Sequence, residues 1–134
     1  MASISAIQSM DYRSATKLRK AGVRTTDSLL KAASTRTGRR RLAKETGLPE
    51  SDILGWVNRA DLARISGVGS EYADLLECAG VDTVPELAQR SAKSLHAKII
   101  SVNKQKKLVR NPPSLKHVED WVKQAKSLPR AITY

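Results

Sequence analysis

The chain has 134 residues, a formal net charge of +11, five aromatic residues with no phenylalanine among them, and one cysteine, Cys78. That length holds one ordinary domain or two small ones; a lone cysteine excludes an intramolecular disulfide and a cysteine-built zinc site, and the apolar runs are far too short to span a membrane. No apolar leader follows Met1, so the expectation is a cytoplasmic protein whose core is Leu, Ile, Val and Ala, with Trp56 and Trp121 as its largest pieces.

In chain order, Ile4 and Ile7 come first and a short break follows around Ser9 to Asp11. Ala15, Leu18 and Ala21 recur at helical spacing and predict a helix over about 12–21, ended by Gly22. Thr25 or Thr26 can cap the next helix, which carries Leu29, Leu30 and Ala33. Residues from about 36 to 46 read as a basic helix closed by Gly47, and Pro49 begins a last helix with Ile53, Trp56, Val57 and Ala60 on one side.

The second half follows the same plan. Ile65-Ser66-Gly67-Val68-Gly69 forms the opening break, a helix over about 71–79 ends at Gly80, and Thr83-Val84-Pro85-Glu86 has the form of a capping box. Ser91 caps a helix carrying Leu95, Ile99 and Ile100; Asn111-Pro112-Pro113-Ser114 breaks the chain; a final helix carries Val118, Trp121, Val122 and Ala125. Residues 129–134 read as a loose tail. No stretch alternates at period two, so the fold class is all-α.

The likeness of the two halves is one of residues as well as plan. A shift of 58 lays Ala15, Leu18, Ala21, Gly22, Val23, Thr25 and Leu29 onto Ala73, Leu76, Ala79, Gly80, Val81, Thr83 and Leu87. A shift of 65 lays Trp56, Val57 and Ala60 onto Trp121, Val122 and Ala125, which places seven extra residues in the 102–113 stretch of the second copy. The expectation is two tandem five-helix repeats, 1–61 and 62–128, followed by the tail 129–134. Because each copy buries little surface alone, the repeats are expected to pack as one compact unit.

Charge is unevenly spread. Residues 1–60 hold 12 Lys/Arg and 5 Asp/Glu, residues 61–86 hold 1 and 6, and residues 87–134 hold 11 and 2. Two basic blocks around an acidic middle suit a polyanionic partner, or self-association between unlike patches. The basic residues cluster at Arg36, Arg39, Arg40, Arg41 and Lys44 in the first copy, and at Lys98, Lys104, Lys106, Lys107 and Arg110 in the second. The plainer reading of each cluster is a solvated helix face.

Ile65-Ser66-Gly67-Val68-Gly69-Ser70-Glu71-Tyr72-Ala73-Asp74-Leu75-Leu76 resembles the helix-hairpin-helix motif. In that motif two glycines permit a sharp turn and expose amides at a helix N-terminus, where they can hold a phosphate without reading sequence. The same hairpin also serves as a packing device, and Glu71, Asp74 and Glu77 on the following helix would repel a phosphate. In the first copy Gln8-Ser9-Met10-Asp11 replaces the glycine turn, with Asp11 in the place of the second glycine, while its following helix is basic.

Catalysis has little support. His96 and His117 lie outside any metal-binding spacing, Cys78 reads as a small core residue, and there is no phosphate-binding loop or dinucleotide fingerprint. Trp56 and Trp121 read as core; Tyr12 and Tyr72 adjoin the hairpins, where packing is favoured over contact with a partner. No cofactor is expected.

Trp56-Val57-Asn58-Arg59-Ala60-Asp61-Leu62, with Arg64-Ile65, the glycine turn and Ala79-Gly80-Val81-Asp82-Thr83-Val84, resembles a bacterial and algal domain of unknown function built from tandem helix-hairpin-helix units. The resemblance spans nearly the whole chain, through Val109-Arg110, Pro112-Pro113, Trp121-Val122 and Ala125-Lys126. It implies an all-α fold of the kind shared by helix-hairpin-helix and sterile-alpha-motif-like domains, and supplies no function. The leading expectation is a non-enzymatic module that binds nucleic-acid backbone through the amides of Gly67, Val68, Gly69 and Ser70 and through the two basic clusters. The rival is a protein-interaction or self-association module whose acidic face is Asp61, Glu71, Asp74 and Glu77.

Overall fold

Helical spacing is realised along the chain in a computed structural model that describes residues 3–7 and 9–134, with the backbone alone at Ser70. A 3-10 turn, Ile4–Ala6, precedes eight α-helices: α1 Tyr12–Lys20, α2 Thr26–Ala33, α3 Arg36–Thr46, α4 Glu50–Leu62, α5 Ser70–Cys78, α6 Val84–Ala88, α7 Ala92–Lys106 and α8 Leu115–Ser127. Among the described residues there is no strand, only an isolated antiparallel bridge between Ser3 and Thr25. The protein is all-α.

The chain divides into two units. Unit 1 comprises Met1–Asp61 with Ala131–Tyr134, and unit 2 comprises Leu62–Arg130. In unit 1, Ile4, Leu18, Leu29, Ile53 and Val57 are fully buried around Trp56. The tail does not hang loose: Ile132 is 3% exposed in this same core, and the amide of Thr133 donates to the Ser34 carbonyl at 2.8 Å. An aliphatic side chain removed from water holds the segment down.

In unit 2 the core is Leu62, Ile65, Leu75, Leu76, Leu87, Leu95, Ile99 and Val118, packed around Trp121. Unit 2 contains four helices, α5 to α8, and its opening residues 63–69 form turns rather than a fifth helix. The Ile65 amide bonds the Leu62 carbonyl and the Val68 amide bonds the Ile65 carbonyl; 58 residues earlier, Ile7 bonds Ile4 and Met10 bonds Ile7 in the same way. The hydrogen-bond pattern at this entry is the same in both units although only one has glycines.

The helix that follows ends alike in both. Gly22 bonds the Arg19 carbonyl and Val23 the Leu18 carbonyl; Gly80 bonds that of Glu77 and Val81 that of Leu76. This is a Schellman cap, which requires a left-handed residue; the φ values are +90° at Gly22 and +94° at Gly80. The offset drops to 56 at the next caps, Thr35 and Ser91, and rises to 65 at the tryptophans, so the net gain of seven conceals a loss before it.

Capping departs from expectation at Thr83. The Thr83 side chain accepts nothing from α6; its hydroxyl instead meets Glu86 at 3.4 Å, and Glu86 reaches back to the Asp82 amide at 3.2 Å. Reciprocal boxes close instead at Thr25 with Ser28 and at Ser114 with His117. Cys78 is exposed rather than in the core, because it falls on the outer side of the last turn of α5. Tyr12 is 81% exposed and packs little, at the first residue of α1.

Candidate nucleic-acid interface

The glycine hairpin of unit 2 is a clamped structure. The Val68 side chain, 5% exposed, is its anchor in the core. Val68 therefore corrects the expectation in one respect: its amide already donates to Ile65, so it has no proton to offer a phosphate. Gly67 has φ +94°, and a β-carbon there would lie 3.2 Å from the indole nitrogen of Trp121. Gly69 is different, with extended backbone at φ −90° as the N-cap of α5 and open space around it.

Gly69 brings no side-chain oxygen to cap α5, and a helix offers no internal acceptor to the amides of its first turn. The backbone of Ser70 and Glu71 thus presents donors at the positive end of a helix dipole. A side chain that sequence reasoning missed fixes their position: Gln124 on α8 accepts from the Ser66 amide at 2.8 Å and donates to the Ser66 carbonyl at 3.1 Å. Asp120 in turn orients the Gln124 amide group at 2.8 Å.

The basic residues of unit 2 are held by a second amide clamp, also missed. Asn103 donates to the Val109 carbonyl at 3.1 Å and accepts from the Val109 amide at 3.0 Å, which closes the chain around Lys104, Lys106 and Lys107. These three and Arg110 are exposed. Lys107 is the only non-glycine with positive φ among the described residues, at +52°, and its amide bonds the Asn103 carbonyl. The corresponding cap of α3 in unit 1 is Gly47, at φ +75°. A lysine holds a conformation that a glycine would hold without strain.

One hydrogen bond joins hairpin to basic loop. Tyr72, in the first turn of α5, packs against Trp121 with the rings tilted at 51° and their centroids 5.3 Å apart, and donates its hydroxyl to the Asn111 carbonyl at 3.0 Å. The Asn111 backbone, next to Arg110, therefore lies within one tyrosine's length of the first turn of α5. Residues 91–130 hold 10 Lys/Arg against 2 Asp/Glu, while α5 itself carries Glu71, Asp74 and Glu77.

In unit 1 the expected cluster is divided. Arg36, Arg40, Arg41 and Lys44 are exposed, with Arg40 3.8 Å from Glu50 in a solvent-screened pair of little energetic consequence. Arg39 is only 5% exposed and is not part of a surface: its two outer nitrogens donate to the carbonyls of Ala33, at 3.1 Å, and Thr133, at 2.8 Å. Its position on the α3 face shared with Leu42 explains the difference. The hairpin of unit 1 includes Gln8, which lies outside the described residues. Asp11 caps α1 with no closed side-chain bond, yet the Ser14 hydroxyl, then the Ser14 amide, hold its carboxyl below the ordinary value.

The acidic face is also incomplete. Glu71 and Glu77 are exposed and Asp74 is half-buried, but Asp61 is fully buried and cannot meet a partner. His96 bonds the Pro113 carbonyl at 3.1 Å and His117 serves the α8 cap, so both have structural partners. Among the described residues, no three His, Cys, Asp or Glu gather as metal ligands, and no helix is long and apolar enough to cross a membrane.

Residues 8–128 match the model of a family described as Domain of unknown function (DUF4332). No curated protein and no solved structure matches the chain.

Proposed function

The chain belongs to the DUF4332 family, and from its geometry we propose that it is a cytoplasmic, non-enzymatic module that binds nucleic-acid backbone without reading sequence. The observation that carries this reading is the Tyr72–Asn111 hydrogen bond, which ties the first turn of α5, just after the glycine turn, to the backbone that follows Arg110 and the lysine loop. A phosphate would take hydrogen bonds from the Ser70 and Glu71 amides, and its neighbours along the strand would meet the lysines. Lys107 supports the reading, because a strained lysine at a glycine position is a cost that binding would offset.

We further read the chain as two copies of one ancestral helix-hairpin-helix, sterile-alpha-motif-like unit. The support is the set of backbone hydrogen bonds that recur 58 residues apart, from the turn through the Schellman cap. Unit 1 then has a hairpin altered by Asp11 and contributes only side-chain cations, Arg36, Arg40, Arg41 and Lys44. The burial of Asp61 removes one member of the acidic face on which a protein-interaction reading depends.

Glu71→Lys separates the two readings. The substitution removes a repelling carboxylate from the first turn of α5, so binding to a short duplex should tighten about threefold to tenfold at low salt, as judged from ~1 kcal/mol for a charge reversal near a helix end. Unchanged or weaker binding, with loss of self-association instead, would favour the protein-interaction module.

A further inference from the structure

Unit 1 is completed by a segment that follows all of unit 2 in sequence. Ala131–Tyr134 belong to it, and they are held as a bound peptide is held. Ile132 enters the core. The Thr133 amide donates to Ser34, and its carbonyl accepts from Arg39 at 2.8 Å. The Tyr134 ring lies 5.7 Å from the Arg39 guanidinium carbon, and its hydroxyl bonds Asn58 Oδ1 at 3.1 Å.

Arg39 is the unusual part. It stands four residues after the Thr35 cap, and the residue four after the Ser91 cap is Leu95, fully buried. A leucine is sufficient for a closed core; burying a guanidinium carries a desolvation cost that only well-placed acceptors offset. Here one acceptor is the α2 terminus at Ala33 and the other is the peptide backbone of the tail.

We infer that unit 1 contains a recognition site for a short extended peptide of the pattern apolar, any residue, aromatic, occupied by this chain's residues 132–134, and that the same segment of a second copy can replace it. The site defines its ligand: an aliphatic side chain for the core, a backbone donor for Ser34, a backbone acceptor and a ring for Arg39, and a hydroxyl for Asn58. A second copy supplies all of these identically, so exchange sacrifices only the tether. Residues 128–134 contain no helix or strand, so the segment can leave without dismantling an element. The tethered segment prevails when the protein is dilute, and the exchanged pair grows with concentration.

The test uses the 134-residue chain and its Ile132→Asp variant, whose own tail no longer fits. A fluorescent hexapeptide of the sequence of residues 129–134 is titrated into each, and light scattering follows mass with concentration. The peptide should bind the variant saturably and at least tenfold more tightly than it binds the parent chain. Adding Arg39→Leu, or placing Asp at the isoleucine of the peptide, should abolish that binding. If Ile132→Asp loosens the fold, the peptide should raise its thermal transition. The parent chain should pass from monomer to dimer as concentration rises while Ile132→Asp stays monomeric. A peptide that neither binds the variant nor raises its transition overturns the site, and a parent chain that remains monomeric at every concentration overturns the exchange.

Discussion

Gly67 and Gly69 occupy one turn and are both glycine, yet only one needs to be. At Gly67 a β-carbon would meet both a left-handed backbone and the Trp121 indole, so Gly67→Ala should lower stability in urea unfolding by about 1–2 kcal/mol. Gly69 has ordinary φ and free space; Gly69→Ser, which keeps a favourable N-cap residue before α5, should stay within about 0.5 kcal/mol. Equal losses at both would contradict the geometry. Lys107 is the converse case: Lys107→Gly should stabilise unit 2 by about 1 kcal/mol through relief of left-handed strain, while weakening nucleic-acid binding. Asp11 has a lowered carboxyl, so its support of α1 is fully present above the ordinary value of 3.8 and is lost as pH falls through the lowered one. At neutral pH it is charged, and Asp11→Asn should therefore raise nucleic-acid affinity.

Helices were legible because their signals are local. The limits of α3, 36–46, follow from the basic run and Gly47, and the breaks at Gly22, Gly80 and Pro112-Pro113 lie where the backbone has no helical alternative. The clamps were not legible, because a glutamine in a helix carries no mark of the turn it holds 58 residues away. Nor was the burial of Arg39, four of whose neighbours on the basic run are cations or glycine; the available signal was its shared face with Leu42 and Thr46. Gln124 is the element-scale test. Gln124→Ala removes two hydrogen bonds from Ser66, so stability should fall by about 1–2 kcal/mol, and the Ser66 amide should lose hydrogen-exchange protection before the rest of unit 2. Retained protection at Ser66 would show that Val68 alone holds the turn.

Over the whole molecule the charge is the dominant physical fact. With a net charge of +11, weak attraction to any polyanion is expected, and what distinguishes a site from a charge cloud is dependence on particular residues. Arg39→Leu should damage unit 1 and leave the salt dependence of binding intact, since that cation is already committed to backbone carbonyls. Lys104, Lys106 and Lys107 changed together to Ala should reduce the salt slope by about 3 and leave the fold standing. The most direct measurement is fluorescence anisotropy of a short labelled duplex with the full chain at about 50 and about 200 mM salt, compared with the triple lysine variant. Affinity should fall roughly a hundredfold between the two salts if about four phosphates are neutralised, and much less in the variant. Absence of binding at low salt, or identical salt slopes for the two proteins, would contradict it.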